Sequence, residues 1–378
     1  MKEAVVSFQG AYRGRRVFVT GDTGFKGSWL ASWLVKEGAT VIGFSNGPLT
    51  EPNGYDAHRL ADRIRHIDGD VRDAASVAAA IRATEPELVF HLAAQAIVGI
   101  GFANPVETFE TNVMGTVNVL EACARSDSVR GALFITTDKC YANNGWSWGY
   151  REIDPLGGDD PYGGSKAAAE LAVSAYRRTV DHRDARGGPM GIASARAGNV
   201  IGGGDWSPDR LIPDIVRALV SGRELRLRRS DATRPWLHVL EPLSGYLMVG
   251  ARLLQGDPCA STSWNFGPRA AQSQTVRTVA ERFVREWGRS SGPITFGSDP
   301  QAFPEASILR LDSSKAGSVL GWESVWSVER CLQMTADWYR AYYERSAPDM
   351  FDLTIAQIEK YESDAAAGGS GWAPDGSP

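Results

Sequence analysis

The sequence predicts an α/β fold, a doubly wound parallel sheet followed by a smaller α+β part toward the C-terminus. Three observations predict it. Short, almost wholly apolar segments such as Val17–Thr20 and Leu88–Leu92 alternate with helical stretches, the pattern of strands buried on both faces of a parallel sheet. The first of these strands runs directly into a glycine-rich turn that opens a helix. After about residue 197 the texture changes to short strands and loops rich in Gly, Pro and Trp.

Each element follows in order. After Val17–Thr20, SWLASWLVKEG reads as a helix closed by Gly38, and Thr40–Phe44 as the second strand. Ile67–Asp70 is the third strand, and Ser76–Thr84 a helix with Ala and Ile on one face. Leu88–Leu92 leads to one helix from about Pro105 to about Arg125. Ala132–Thr136, a helix over Tyr162–Arg178 and Gly191–Arg196 complete the sheet. Beyond it, Leu211–Val220 and Gln274–Trp287 read as helices. Arg223–Arg229 (RELRLRR) alternates charge with Leu, so it reads as a strand with a solvated face rather than a basic patch. From about Asp364 the chain is mostly Ala, Gly, Ser and Pro with one Trp, and residues 363–378 are expected to be a disordered tail.

Composition excludes several classes. The chain has 378 residues, 43% hydrophobic and 22% charged, which rules out collagen-like, disordered and disulfide-scaffold proteins and leaves room for two domains. A net charge of −5 argues against a protein that coats nucleic acid. Cys123, Cys140, Cys259 and Cys331 are widely spaced, so neither a zinc site nor a disulfide framework is expected, and reduced thiols in a cytoplasm are. No signal-peptide pattern opens the sequence, no run of about 18 apolar residues spans a membrane, and no metal site is expected.

The glycine turn carries the first chemistry. Gly21-Asp22-Thr23-Gly24-Phe25-Lys26-Gly27 lies between strand and helix, where glycine lets a pyrophosphate approach the backbone and the helix N-terminus offers unpaired N–H groups. This is the Rossmann dinucleotide-binding arrangement. Residues 1–196 are therefore the cofactor domain, with 234–258 returning to it, and 197–362 mainly the substrate domain. Asp70-Val71, at the end of the third strand, is well placed to hold an adenine edge, with a helix N-cap at Asp70 as the lesser alternative. The second strand ends in Ser45-Asn46, with neither the carboxylate that selects NAD nor an Arg for NADP. Lys26 nearby would tolerate a phosphate, so these residues leave the choice open.

Two further groups complete the set. Tyr162 and Lys166 sit four apart on one helix face, so the ammonium is expected to lower the phenol from about 10 toward neutrality and make it a base. Thr137-Asp138-Lys139 falls at the carboxyl end of the fifth strand, where doubly wound sheets bind ligands. It is either a structural ion pair or a proton donor and acceptor.

With these residues the chain resembles the extended short-chain dehydrogenase/reductase superfamily, and within it the CDP-glucose branch of the sugar-nucleotide 4,6-dehydratases. The resemblance runs from about residue 14 to 362. It is carried by VFVTGDTGFKGSWL, HLAAQ (His91–Gln95), NPVETFETNVMGT (Asn104–Thr116), TTDKCYANNGWSWGYRE, DDPYGGSKAAAE, RAGNVIGGGDWSPDRLIPD (Arg196–Asp214), RPWLHVLEPLSGYL (Arg234–Leu247) and WNFGP (Trp264–Pro268). It implies tightly held NAD, contacted by Gly21, Gly24, Phe25, Lys26, Gly27, Asp70, Val71, Leu92, Ala93, Gln95, Asn112, Tyr162 and Lys166. It implies a CDP-hexose substrate held by Asn199, Arg210, Leu211 and Arg234, the arginines suiting phosphate oxygens.

The implied reaction starts with Tyr162, aided by Lys166 and Thr137, taking the 4-hydroxyl proton as hydride passes from carbon 4 to the nicotinamide. Lys139 then removes the carbon 5 proton and Asp138 protonates the departing 6-hydroxyl. The hydride returns to carbon 6, leaving a 4-keto-6-deoxy sugar. This requires a protonated Asp138 and a partly neutral Lys139, and a purely electrostatic Lys139 leaves the same sequence. An epimerase or reductase of the superfamily is the alternative. The chain departs from the family's pattern at Val98-Gly99-Ile100-Gly101, where an Arg is usual, and at Gly163-Gly164, where Ser is frequent and a looser helix start is expected. The helices of about Thr108–Arg125 and Tyr162–Arg178 are expected to pair two subunits or more. Of twelve tryptophans, Trp146, Trp148, Trp206, Trp236 and Trp264 are expected to wall or support the pocket.

Overall fold

The computed structural model describes residues 7–180, 190–228, 230–268, 273–288, 294–297, 309–346 and 349–374. In chain order the strands are β1 (Arg16–Thr20), β2 (Thr40–Ser45), β3 (Arg65–Asp68), β4 (Leu88–His91), β5 (Gly131–Ile135), β6 (Gly191–Ala197), β7 (Asn199–Ile201), β8 (Leu225–Arg228), β9 (Thr233–His238), β10 (Ser263–Phe266), β11 (Ser273–Thr275) and β12 (Ile294–Gly297). The helices are α1 (Phe25–Lys36), α2 (Gly54–Ala57), α3 (Ala74–Thr84), α4 (Val98–Ala103), α5 (Pro105–Phe109), α6 (Gly115–Ala124), α7 (Pro161–Val180), α8 (Leu211–Ser221), α9 (Leu240–Leu254), α10 (Val276–Trp287), α11 (Val328–Glu344) and α12 (Met350–Ala367).

Seven strands form one parallel sheet in the order β10-β6-β5-β4-β1-β2-β3. Alternation along β1 sends Val17 and Val19 to one apolar cluster, with Trp29 and Leu30 of α1 and Leu243 and Leu247 of α9. Phe18 goes to the other face, with Val77 of α3, Val119 of α6 and Val173 of α7. Both faces are covered, which is why every residue of β4 and β5 is buried. The strand order reverses between β1 and β4, and a sheet wound this way opens a crevice there, at the carboxyl ends.

Toward the C-terminus two small sheets, β11-β9-β7 and β12-β8, stand beside the large one. The stretch read as a strand in Arg223–Arg229 contains β8; Arg229 itself lies outside the described residues. Residues 234–238 stay with the small sheet in β9, so the stretch that returns to the large sheet is α9 and β10.

Two further expectations are corrected. The single helix expected over 105–125 is interrupted by a five-residue π turn, Glu110–Met114. Its cause is Asn112, buried there and hydrogen-bonded to Gln95 and Ser165, a demand that helical periodicity does not display. The tail expected from residue 363 instead continues α12 to Ala367 and places Trp372 in the core, its ring 5.1 Å from and nearly parallel to Phe8. The Phe8 N–H donates to the Trp372 carbonyl at 2.8 Å, so one aromatic residue outweighs a tail-like composition. Residues 375–378 lie outside the described residues.

Of the five tryptophans expected to wall or support the pocket, three are buried in the core. Trp206 packs on Trp338, Tyr339 and Tyr342, and Trp264 is fully buried under Lys315. Trp236 is buried and donates to the Gln274 carbonyl at 3.2 Å. Only Trp148 of those five is exposed, stacked on Trp146, which stacks on Tyr150.

Candidate active site

The glycine turn is built for close approach. Gly21 has φ 72°, and a Cβ there would stand 2.7 Å from the Ala93 nitrogen at the end of β4. A Cβ on Gly27 would stand 2.0 Å from the Gly21 oxygen. Gly24 caps α1 with extended backbone and no side-chain hydrogen bond, so the first-turn N–H groups point into the crevice. The Leu92 and Ala93 amides donate to Thr20 Oγ1 at 3.2 and 3.1 Å, which fixes the β4 end against the turn. Phe25 packs beside Gly202. Such a cradle, which any side chain would fill, fits a dinucleotide.

Just after β3, Asp70 accepts from Arg72 Nη2 at 2.6 Å, and its hydrogen bonds with Arg72 hold its carboxyl below the usual range. The N-cap of α3 is Asp73, so the capping role open to Asp70 is excluded. Val71 is buried against Gly115, and its carbonyl accepts from Asn118 at 2.9 Å. Ser45 pairs with Thr23 at 2.9 Å. The carboxylate missing from the end of β2 is nearby in the turn itself: Asp22 is buried, with Oδ2 2.7 Å from His66 Nδ1 and Oδ1 without a partner. Burial raises its carboxyl, against the pull of His66. Sequence reading gave Asp22 no role of its own within the glycine motif.

The reactive groups gather at the end of β5. Thr137 Oγ1 donates to Asp138 Oδ1 at 3.0 Å and accepts from the Lys139 amide at 3.3 Å. The first turn of α7 rests on this turn, since a Cβ on Gly163 would stand 2.7 Å from the Lys139 carbonyl oxygen. Gly163 therefore tightens the junction, and Asp160 caps it by accepting the Gly163 amide at 2.8 Å. The loose helix start expected from the Gly-Gly pair is not what the fold does with it. Gly198 leaves room for the carboxyl, a Cβ there standing 3.0 Å from Asp138 Oδ2.

Burial dominates the electrostatics. It raises Asp138, against Lys139, Thr137, Lys26 and Arg234, which moves that carboxyl toward holding a proton. It pushes Tyr162 up to about 12, with Thr137 and Arg210 pulling down. This corrects the lowering expected from Lys166. The Lys166 ammonium turns to the Ile135 carbonyl at 3.2 Å, and burial lowers it to about 8 while Glu170 resists. Glu170, one turn further along α7, makes a buried ion pair with Arg196 at 2.8 Å. Burial pushes it up, but hydrogen bonds from Arg196, Thr136 and Ser194 hold it below the usual range. Glu170 continues the Tyr162–Lys166 spacing by four, a signal that the sequence carries.

On the substrate side, Asn199 opens β7 one residue after Gly198, and Arg234 of β9 acts on Asp138. Arg210 precedes α8, pairs with buried Asp205 at 3.1 Å and acts on both Tyr162 and Lys26; Leu211 follows it, half-buried. Sequence reading missed Glu170, Arg196, Gly198 and Asp205. Asn112 is fully buried. Its amide is spent on the Gln95 carbonyl (3.0 Å) and Ser165 Oγ (2.8 Å), so it braces the walls. Gln95 is also engaged, by Thr108 at 3.0 Å and the Ile97 amide at 2.6 Å. A Cβ on Gly101 of α4 would stand 3.4 Å from the Tyr162 nitrogen, so the departing segment 98–101 lies against the start of α7. Among the described residues no group of three His, Cys, Asp or Glu is placed for a metal, and no helix is long and apolar enough to cross a membrane.

A doubly wound sheet with a glycine cradle at its switch point and a Tyr–Lys pair on the neighbouring helix defines a dinucleotide-dependent enzyme of the short-chain dehydrogenase/reductase class. Within that class, the chain belongs to the GDP-mannose 4,6 dehydratase family, whose model matches residues 18–335. It is 42% identical to a CDP-glucose 4,6-dehydratase of Salmonella typhimurium, over 93% of this chain and 97% of that one. Its fold superposes with TM-score 0.73 on a dTDP-glucose 4,6-dehydratase from Streptomyces venezuelae with NAD and TYD bound, 26% identical, covering 87% of this chain and 98% of that one. A UDP-glucose 4-epimerase from Thermotoga maritima with UDP-glucose shares the fold at TM-score 0.73 and 22% identity, covering 87% and 99%.

Proposed function

We propose that this protein is an NAD-dependent hydro-lyase that converts CDP-glucose to CDP-4-keto-6-deoxyglucose. The observation that carries this reading is the Thr137-Asp138-Lys139 turn at the end of β5, locked under the Tyr162 end of α7. Its support is the family membership and the 42% identity to a CDP-glucose 4,6-dehydratase. NAD supplies a hydride acceptor for carbon 4 and a donor for carbon 6. The first-turn N–H groups of α1, with Gly21, Gly24 and Gly27, hold its pyrophosphate. Tyr162 takes the 4-hydroxyl proton, and Thr137 and Arg210 stabilise the phenolate this requires. Lys139 removes the carbon 5 proton and gives it back to carbon 5 when the hydride reaches carbon 6. Asp138, raised by burial, gives its proton to the departing 6-hydroxyl. Arg210 and Arg234 meet the substrate's pyrophosphate, with Asn199 and Leu211 beside them.

The test is a panel of CDP-, dTDP-, UDP- and GDP-hexoses incubated with the NAD-loaded protein, read by product mass. The expected result is a product one water lighter from CDP-glucose. An isomer of unchanged mass makes the protein an epimerase and overturns the reading.

The assembly is a homodimer built on the α5–α7 side. Val106, Phe109, Met114 and Leu171 are exposed there, and the first three line a shallow apolar groove with Pro105 and Val113. Sedimentation of the wild-type protein and a Val106→Asp, Leu171→Asp double variant tests it, the variant running as a monomer. The compartment is the cytoplasm, in keeping with four unpaired thiols, three of them buried.

A further inference from the structure

Thr20 and His91 end the paired strands β1 and β4, side by side in register. Thr20 lies two residues after Phe18, so its side chain takes the same face of the sheet, where α6 and α7 pack. A run of buried hydrogen bonds starts there. The Leu92 and Ala93 amides use Thr20 Oγ1 as an acceptor, so its own proton goes to His91 Nδ1 at 2.8 Å. On the far side of the ring, Nε2 lies 3.2 Å from Thr116 Oγ1, whose proton is already given to the Asn112 carbonyl at 2.7 Å. Nε2 therefore carries the hydrogen and Nδ1 none, which fixes the tautomer. Asn112 Nδ2 donates to Ser165 Oγ at 2.8 Å, and Ser165 Oγ donates to the Tyr162 carbonyl at 2.8 Å. Thr20, His91, Thr116, Asn112 and Ser165 are all buried. The Phe134 ring of β5 lies 5.4 Å from the imidazole, and Lys166 of α7 is the charged group that acts on it. Burial, with that charge, pushes the imidazole down to about 3, so the ring stays neutral.

We propose that His91 is a positioning residue, tying the β1–β4 floor of the dinucleotide crevice to the first turn of α7 so that Tyr162 keeps a fixed place against the bound cofactor. The hydride transfer it serves rests on the dehydratase reading; the run of hydrogen bonds does not. Each hydroxyl in the run accepts on one side and donates on the other. Asn112 spends both amide hydrogens, one on Ser165 and one on the Gln95 carbonyl. No member can turn around without leaving a buried donor or acceptor unpaired. The π turn over Glu110–Met114 belongs to the same run, since Asn112 gives its carbonyl to Thr116 and its side chain to Ser165. His91 is where the run leaves the sheet for the helices, and a rigid ring spans that gap. Both ends are backbone, amides at Leu92 and Ala93 and a carbonyl at Tyr162, so the run carries no proton. What it transmits is position.

The test compares wild type, Thr116→Val and Thr116→Ser, all NAD-loaded. Two readouts need no substrate. Nitrogen NMR of histidine-labelled protein, with the His91 signals identified by His91→Gln, is expected to show hydrogen on Nε2 alone from about pH 6 to about pH 9. Hydrogen on Nδ1, or a charged ring, overturns the proposal. Amide exchange over the first turn of α7 is expected to run at least about threefold faster in Thr116→Val. It keeps the wild-type rate in Thr116→Ser, which retains the hydroxyl. Exchange unmoved by valine sinks the link to α7. With CDP-glucose, rapid-mixing absorbance reads the reduced nicotinamide. Thr116→Val is expected to form it about tenfold more slowly with wild-type NAD content and KM, and Thr116→Ser to restore the rate. A valine variant at the wild-type rate, or a serine variant as slow as valine, overturns the positioning role. Loss of bound NAD in Thr116→Val overturns it too, by making the run a cofactor clamp alone. If wild type forms no reduced nicotinamide with CDP-glucose, the dehydratase reading fails, and the nitrogen spectrum and exchange rates still decide the role of His91.

Discussion

Asp138 and Lys139 are neighbours in the chain with different surroundings, the carboxyl buried and the lysine side chain half-exposed at the cleft. That difference separates their roles. Replacing Lys139 with Met is expected to cut water loss by at least about 100-fold. Reduced nicotinamide still forms when CDP-glucose is added, and its absorbance reads that half-reaction; unchanged turnover would remove Lys139 from the mechanism. Gly198→Ala tests the carboxyl by space alone, since its methyl group meets Asp138 Oδ2. Turnover is expected to fall on the order of tenfold to 100-fold with NAD content unchanged, and wild-type turnover would show that Asp138 has slack. The identities of the reactive residues were legible because each sits in a motif of fixed spacing. Their electrostatics were not. The Tyr162–Lys166 spacing announces a lowered phenol, yet burial raises it against the pull of Thr137 and of Arg210, 48 positions away in the chain, and burial is set by the tertiary fold.

Among the elements, α7 is fixed by the contact of its first turn with the end of β5. Gly163→Ala drives a methyl group against the Lys139 carbonyl oxygen, which is backbone and has little room to give. The expected cost is about 1–3 kcal/mol in chemical denaturation, with turnover lost in the fraction that stays folded. A variant as stable and active as wild type would show that α7 is not set by this contact. Strand and helix positions through β6 were legible because apolar runs, glycine stops and helical periodicity mostly agree there, whereas α9 and the seventh strand, β10, went unread. The π turn at Glu110–Met114 was not legible either, because it answers to a buried amide that bridges two other segments. Of the small-sheet strands β8 was legible from its alternation of Leu and charge, whereas β7, β11 and β12, three or four residues long, carry too little pattern.

The molecule as a whole is tied by buried groups that join distant segments. Glu241, in the first turn of α9, accepts the Trp326 amide at 2.7 Å and the Tyr361 hydroxyl of α12 at 2.8 Å. Burial raises it to about 7 against those hydrogen bonds. The folded protein thus holds this proton more tightly than the unfolded chain, whose carboxyl titrates near 4.5. Its contribution to stability is complete at low pH and is lost as pH rises from there through about 7. In Tm measured against pH, Glu241→Gln should lack that part of the decline; a wild-type curve in the variant would mean that the carboxyl is not protonated in the fold. Trp372→Ala should cost about 3–5 kcal/mol, read as a lower Tm, and an unchanged Tm would return the segment to the tail that composition foretold. The stacking of Trp372 on Phe8 also bears on the order of synthesis. On the ribosome, β6 emerges long before the β10 that pairs with its outer edge, and Phe8 long before Trp372. The cofactor-binding half therefore leaves the tunnel with an open sheet edge and an uncovered aromatic patch, and becomes self-sufficient only when α12 and Trp372 fold back onto it.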